Sequence, residues 1–262
     1  MIKALVIGEL CVDRFVYGRI TRLCPEAPVP VLNPIEERSN NGMAGNVVEN
    51  LKALVEDIEI IHWHQSNLIE KVRYVEEKSN QMIVRVDSGE LTPCESLTFL
   101  SPDQRRTISE SDFVIISDYN KGYLSPSIIN EIASVGKLTI LDSKKKLDSG
   151  TIKNLSFVKL NEIEYNNNRD LVDADPEKFI ITLGSKGAMH KGILYPSTDP
   201  QETIDVSGAG DTFISSFIVN YFFSEEVEDS IGFANEVCAD VVSRKGVTTP
   251  SKKFKRNFFK SN

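Results

Sequence analysis

The chain has 262 residues, of which 40% are hydrophobic, and its formal net charge is −8. This length fits one large domain with a sizeable core, and the acidic balance argues against a nucleic-acid surface, which needs a basic face. The four cysteines are scattered, as is typical of free thiols in a reducing cytoplasm. The apolar run at residues 213–223 is too short to span a bilayer, and we expect no membrane partner.

Short apolar runs that end in polar residues recur along the chain and predict buried strands. In chain order, we expect strands at residues 4–8, 113–117, 138–142, 157–160 and 179–183. Helices are expected at residues 46–54, 125–135, 213–223 and 226–242. Buried strands that alternate with helices indicate an α/β fold, with a mainly parallel central sheet and helices on both faces. Such sheets place ligand sites at the carboxyl ends of their strands.

Two segments depart from this alternation. Residues 15–37 are rich in Val, Pro and Arg without a helical period, and residues 72–88 alternate like two antiparallel strands. Three cations, Lys71, Arg73 and Arg85, lie on or beside the second segment. They are either solvated charges on a ribbon or a cluster that binds a phosphorylated substrate.

The segment Gly208-Ala209-Gly210-Asp211 carries the strongest chemical signal. Its two glycines form a tight loop that opens into the N-terminus of an apolar helix. The unpaired amides and the positive dipole end of such a terminus bind phosphate oxygens. A carboxylate repels phosphate, so Asp211 is either a helix cap or a general base that takes a proton from an attacking hydroxyl.

This segment resembles the Gly-Ala-Gly-Asp signature of the ribokinase-like (PfkB) sugar kinases, in which the aspartate is the catalytic base and the first-turn amides form an anion hole. Other segments agree in order and spacing, and within the family they favour the kinases of heptose 7-phosphate. These segments are Gly8-Glu9, Asp13-Arg14-Phe15, Pro25-Glu26-Ala27-Pro28-Val29-Pro30, Gly42-Met43-Ala44-Gly45-Asn46-Val47, Ser117-Asp118-Tyr119-Asn120-Lys121-Gly122 and Lys159-Leu160-Asn161-Glu162-Ile163-Glu164.

The resemblance implies one ribokinase-like kinase domain over residues 1–262, built as a three-layer sandwich. Residues 15–37 and 72–88 would form a small β-lid over the sugar, and two lids would pair into a homodimer. The acceptor would be a small sugar or sugar phosphate. Asp13, Gly42, Asn46 and Asp118 match its binding region, and the cluster of Lys71, Arg73 and Arg85 would bind its phosphate.

The implied phosphoryl donor is ATP. The positions that match its site are Lys144, Asn161, Thr182, Gly184, Gly187 and Asn235. Asn161 and Glu164 match a motif that holds the water shell of Mg²⁺, an ion that keeps several waters in protein sites. Asp205 matches a loop that binds a monovalent cation such as K⁺.

Three features depart from the family pattern. Glu9 replaces a more usual aspartate, Met43 stands where a second glycine is common, and one helix-strand unit is missing before the lid hairpin. Two hypotheses remain open. The chain is either an active ATP-dependent sugar kinase or a degenerate member that binds nucleotide or sugar phosphate as a regulatory or assembly subunit. The intact Asp211 segment favours the kinase.

Overall fold

A computed structural model describes residues 1–92, 94–197, 206–244 and 246–257. Within these ranges the chain forms twelve strands and eight α-helices. The strands are β1 (Ile2–Gly8), β2 (Leu10–Leu23), β3 (Pro30–Met43), β4 (Ile58–Trp63), β5 (Glu70–Glu76), β6 (Met82–Ser88), β7 (Phe113–Asp118), β8 (Thr139–Ser143), β9 (Phe157–Asn161), β10 (Phe179–Thr182), β11 (Ala188–His190) and β12 (Ile193–Tyr195). The helices are α1 (Ala44–Leu54), α2 (Pro102–Glu110), α3 (Pro126–Val135), α4 (Ser149–Ile152), α5 (Glu162–Asn167), α6 (Arg169–Ala174), α7 (Ala209–Ser224) and α8 (Val227–Val242).

Eight strands form the central sheet, in the order β12-β11-β10-β9-β8-β7-β1-β4. The run from β4 to β10 is parallel, and β11 and β12 add an antiparallel edge. Strand β7 is buried at all six positions because helices cover both faces of the sheet, which explains its apolar run from Phe113 to Ile116. The predicted α/β fold with a mainly parallel central sheet is confirmed.

Two apolar clusters fill the spaces between the sheet and its helices. One cluster joins the sheet to α1, α7 and α8, and the other joins it to α2 and α3. Helix α7 is buried from Asp211 to Asn220, which is why its sequence is apolar nearly all round. Helix α3 begins after Ser125, whose hydroxyl accepts a hydrogen bond from Ile128 N, with Pro126 in its first turn. None of the described helices is long and apolar enough to cross a membrane.

A second sheet, which we call the lid sheet, contains β3, β2, β5 and β6 in that order. Its outer pairs are antiparallel, and β2 pairs with β5 in parallel. The two segments expected to form a lid therefore lie side by side. The strands β2 and β3 extend beyond residues 15–37 to Leu10 and Met43, where they lead into the central sheet and α1.

The connection between the two sheets is short. Strand β4 ends at Trp63, β5 begins at Glu70, and residues 64–69 contain no helix. Strand β4 is therefore the last described strand at this edge of the central sheet. This arrangement agrees with the expected loss of one helix-strand unit before the lid hairpin.

Candidate active site

The glycine loop before α7 approaches α1 closely. Gly208 has φ 80° and ψ 0°, a left-handed conformation that glycine adopts without a steric penalty. A Cβ atom at this position would lie 2.5 Å from Asn46 Nδ2, so a side chain would also collide with α1. The loop therefore requires glycine both for its backbone angles and for its contact with Asn46.

The first turn of α7 leaves amide groups for a ligand. The first helical hydrogen bond starts at Thr212 N, so the amides of Gly210 and Asp211 need acceptors from outside the helix. The Ala209 N–H donates to the Val206 carbonyl at 3.2 Å. The anion hole expected from the first-turn amides therefore has two candidate donors, those of Gly210 and Asp211.

The carboxylate of Asp211 is held between two donors. Asn46 Nδ2 donates to Oδ2 at 3.0 Å, and the Tyr119 hydroxyl donates to Oδ1 at 2.9 Å. The residue is only 4% exposed. Burial raises the pKa of Asp211 to about 6, although the hydrogen bonds from Asn46 and Tyr119 favour the ionised form. Such a group is ionised at neutral pH and still basic enough to accept a proton.

A buried lysine lies beside this helix terminus. Lys159 is 2% exposed and its ammonium donates to Asp142 Oδ2 at 2.8 Å. A Cβ atom on Gly210 would lie 2.9 Å from Lys159 Nζ, so glycine here makes room for the ammonium. Our sequence reasoning assigned no role to Lys159. The available signal was a single charge inside the apolar strand β9, since lysine is rarely buried without a partner or a task.

A cavity of about 620 Å³ opens in front of α7. It is lined by the segment Gly208-Ala209-Gly210-Asp211 and by all six residues expected to contact the nucleotide, namely Lys144, Asn161, Thr182, Gly184, Gly187 and Asn235. Some of their polar groups already have partners within the chain. Asn235 Nδ2 donates to the Tyr195 carbonyl at 2.9 Å, and Thr182 Oγ1 donates to the Leu160 carbonyl at 3.3 Å.

The expected magnesium residues form a hydrogen-bonded group at the rim of this cavity. Asn161 Nδ2 and Lys144 Nζ both donate to Glu164 Oε1, at 2.8 and 2.6 Å. Glu164 Oε2 also accepts from Asn161 N, which caps α5. In contrast, Asp142 Oδ1 is buried and has no hydrogen-bond partner among the described residues. This oxygen is the feature that best fits a hydrated cation in the cavity.

The described residues contain no group of three or more His, Cys, Asp or Glu side chains that could hold a metal ion by themselves. A magnesium ion here would therefore take most of its ligands from water and from nucleotide phosphates, which is its ordinary behaviour. The expected monovalent-cation residue Asp205 lies outside the described residues.

The base of the lid sheet gathers several residues expected to bind the acceptor. Asp13 is buried, and its carboxylate is ion-paired with Arg73. The Arg73 guanidinium also lies 5.0 Å from the centre of the Phe15 ring. A Cβ atom on Gly42 would lie 2.2 Å from Asp13 Oδ2, so this glycine lets the carboxylate lie against the backbone of β3.

The remaining predicted cations are also paired. Lys71 and Lys121 converge on the Glu90 carboxylate, at 3.2 and 2.8 Å. Hydrogen bonding from Lys121, with a smaller contribution from Lys71, holds the pKa of Glu90 below its usual value. Arg85 lies farther out and pairs with Asp87 through two hydrogen bonds, at 2.8 and 2.9 Å. The sequence alone assigned no role to Lys121, which lies in the segment 117–122 that matches the family.

Asp118 is placed away from this region. It is fully buried, and Lys145 Nζ lies 2.7 and 2.8 Å from its two oxygens. Ser143 Oγ donates to Oδ2 at 2.6 Å, and Asn120 N donates to Oδ1 at 3.0 Å. This placement argues against the expected contact with sugar. Asp118 instead holds the end of β7 to the segment after β8.

Sequence comparison relates the chain to carbohydrate kinases. Residues 155–253 match the family described as pfkB family carbohydrate kinase. The bifunctional protein HldE of Helicobacter pylori strain J99 is 32% identical over 302 residues, which cover 94% of this chain. The chain spans 64% of the length of that relative.

Solved structures share the fold. Ribokinase of Arabidopsis thaliana, complexed with ribose and ATP, superimposes with a TM-score of 0.71 at 16% identity over 97% of both chains. Phosphofructokinase-2 of Escherichia coli, in complex with potassium, gives the same TM-score at 14% identity, again over 97% of both chains. These structures show the fold that the chain shares, and the sequence matches show a domain of the PfkB family of carbohydrate kinases, matched over residues 155–253.

Proposed function

We propose that this chain is an ATP-dependent sugar kinase that transfers the γ-phosphoryl group to a hydroxyl of a phosphorylated sugar. The observation that carries the proposal is the buried Asp211 carboxylate, poised at an anion-binding helix terminus that faces the cavity. A purely structural helix cap gains nothing from being surrounded by a free amide pair and a buried ammonium. A base in phosphoryl transfer acts beside such groups, because the two amides and the ammonium stabilise the negative charge that develops on the transferred oxygens.

In the proposed reaction, Asp211 takes the proton of the acceptor hydroxyl as its oxygen attacks the γ-phosphorus of ATP. The O–H bond breaks, a new O–P bond forms, and the bond between the γ-phosphorus and the bridging oxygen breaks to release ADP. Negative charge accumulates on the transferred oxygens. The amides of Gly210 and Asp211 and the ammonium of Lys159 are placed to stabilise it.

We expect ATP in the cavity lined by Lys144, Asn161 and Thr182. Bound Mg²⁺ supplies charge neutralisation for the nucleotide phosphates, and its waters would be held by Asp142, Asn161 and Glu164. Potassium is a further expected ion, through Asp205, as one solved structure of the same fold contains potassium. These side chains orient the phosphates, while proton transfer remains the task of Asp211.

For the acceptor we propose a sugar phosphate, with heptose 7-phosphate as the first candidate. The sequence resemblance and the HldE relatives support this choice. Two cations support the phosphate: Lys71 on the lid sheet and Lys121 after β7 already hold one anionic group, Glu90, between them. A phosphate bound nearby would use charges of the same kind.

We also propose that two lid sheets pair into a homodimer. Strand β6 is the edge of the lid sheet, and its side chains Met82, Val84 and Val86 are 53%, 49% and 48% exposed. An apolar edge strand of this kind invites pairing with another strand. We expect the enzyme to act in the cytoplasm.

An assay of ADP release over a panel of sugars and sugar phosphates tests the proposed function. We expect release that depends on a sugar phosphate, with weaker turnover of the corresponding free sugar. ATP binding without turnover of any acceptor would overturn the proposal and favour the regulatory or assembly subunit. Equal turnover of free and phosphorylated sugar would support kinase activity but contradict the proposed preference for a phosphorylated acceptor.

A further inference from the structure

Two of the three departures from the family pattern, Glu9 and Met43, lie around the same residue, Tyr119. Glu9 is fully buried and binds the segment that carries this tyrosine. Its Oε2 accepts from Tyr119 N at 2.8 Å, and its Oε1 accepts from Lys121 N at 3.0 Å and from Tyr123 N at 3.3 Å. The longer arm of glutamate therefore fixes the backbone at Tyr119 and in the four residues that follow it.

Met43 is part of the apolar surroundings of the same residue. It belongs to a small buried cluster with Cys11 and Ile69, against which the Tyr119 ring lies. Its φ of 55° is unusual for a residue other than glycine. A strained backbone of this kind persists only where its surroundings hold it, and here the side chain fills space beside the ring. Glycine at this position would relieve the strain and remove one of the three side chains of the cluster against which Tyr119 packs.

The Tyr119 hydroxyl is directed at the base. It donates to Asp211 Oδ1 at 2.9 Å, while Asn46 Nδ2 occupies the other oxygen at 3.0 Å. Burial, and next the Asp211 charge, hold the pKa of Tyr119 well above its usual value, so the phenol keeps its proton and remains a donor. Two donors on two oxygens fix the plane of the carboxylate.

We propose that Tyr119 is a positioning residue for Asp211, and that Glu9 and Met43 are retained because they hold Tyr119 in place. The inference rests on the proposed kinase function. By fixing the carboxylate and favouring its ionised form, the phenol keeps one lone pair of Asp211 aimed at the acceptor hydroxyl. The departures Glu9 and Met43 then belong to a working catalytic site and are no sign of decay.

Several titratable groups face Asp211 from the elements around it. They are Cys11 from β2, Tyr119 after β7, Asp142 from β8, Lys144 after β8 and Lys159 from β9. Tyr119 and Lys159 favour the ionised carboxylate, whereas Asp142 opposes it. Replacing Tyr119 by phenylalanine removes one favourable contact and leaves the other groups in place, so the proton affinity of Asp211 should rise.

The test is Tyr119→Phe, which deletes only the hydroxyl. Because the lost hydrogen bond is made to a charged group, kcat should fall about tenfold, and the acidic limb of its pH profile should move up by about one pH unit. KM for ATP should be unchanged. Tyr221→Phe is the matched control, since its ring packs on Phe157 and Phe217 in the core. The control should leave both kcat and the limb unchanged.

A second readout does not depend on turnover. Titration of the Asp211 carboxyl by carbon-13 NMR, assigned with Asp211→Asn, should give a higher pKa in Tyr119→Phe than in the wild type. An unchanged pKa would overturn the inference, even if the enzyme is an active kinase. Absence of wild-type activity with every acceptor would instead contradict the proposed function, and the NMR titration would still decide whether Tyr119 controls Asp211.

Discussion

Burial governs the chemistry of the individual site residues. Asp211 and Lys159 lose most of their contact with water, so each depends on a few fixed partners. Asp211 keeps two neutral donors, and Lys159 keeps the Asp142 carboxylate. Charges in such surroundings interact more strongly than in water, which suits a reaction that spreads negative charge over phosphoryl oxygens.

We predict that Lys159→Met lowers kcat about a hundredfold, the usual loss when one preorganised group that stabilises transition-state charge is removed. The steady-state ADP-release assay measures this change. The variant leaves Asp142 with only the 3.8 Å ion pair to Lys144, so thermal melting should be recorded to show that the protein is folded at the assay temperature. Lys153→Met removes an exposed lysine and should have no effect. An unchanged kcat in Lys159→Met would remove Lys159 from the mechanism.

We predict that Lys71→Met raises KM for the sugar phosphate about tenfold, as expected for loss of one charge-assisted contact. KM for the free sugar should stay unchanged, since only the phosphate uses this charge. Initial-rate kinetics with both acceptors measure the effect. The control is Arg19→Met. Arg19 lies on β2, and this change breaks its exposed ion pair with Glu77. Equal losses with both acceptors would show that Lys71 supports the lid without recognising phosphate.

The sequence predicted the elements of the central sheet well because their local and tertiary preferences agree. Buried parallel strands are apolar throughout, and a cap such as Ser125 followed by Pro126 marks a helix start. Side-chain partners are different, because they come from distant parts of the chain. Tyr119 and Asn46 both donate hydrogen bonds to Asp211, and Lys145 pairs with the buried Asp118. No local sequence pattern encodes these contacts.

At the lid sheet, we predict a dimer in solution. Light scattering should give twice the monomer mass of 29.3 kDa, since the exposed apolar residues of β6 would be covered by a second lid. Val84→Glu should shift the protein to monomer, because it places a charge in that contact. The control Ile193→Glu lies on β12, at the far edge of the central sheet. A wild-type monomer at all concentrations would contradict lid pairing.

For the whole molecule, the buried Asp211 carboxylate carries a stability cost. The pKa of Asp211 is raised from 3.8 to about 6 in the folded protein, so the folded state holds this proton more tightly than the unfolded chain. The free-energy cost of ionising Asp211 in the folded protein therefore grows as pH rises from 3.8 to about 6, and it reaches its full value above that range. It reaches about 3 kcal/mol, because a tenfold difference in proton affinity between the folded and unfolded states corresponds to about 1.4 kcal/mol.

We predict that Asp211→Asn increases the free energy of unfolding by up to about 3 kcal/mol near pH 8 and has little effect near pH 4. Urea unfolding of both proteins at the two pH values measures the difference. Asp170→Asn, at an exposed site on α6, should change stability little at either pH. A variant that is less stable than the wild type near pH 8 would show that the hydrogen bonds of the ionised carboxylate outweigh its burial.

The most direct test of the central claim compares phosphoryl transfer by the wild type and Asp211→Asn under identical conditions. With labelled ATP and heptose 7-phosphate, the wild type should form a labelled sugar product. Asp211→Asn should bind ATP with Mg²⁺ normally and form product about a hundred- to ten-thousandfold more slowly, since a positioned base contributes that much. Equal rates in the two proteins, or no transfer by the wild type to any sugar or sugar phosphate, would contradict the account.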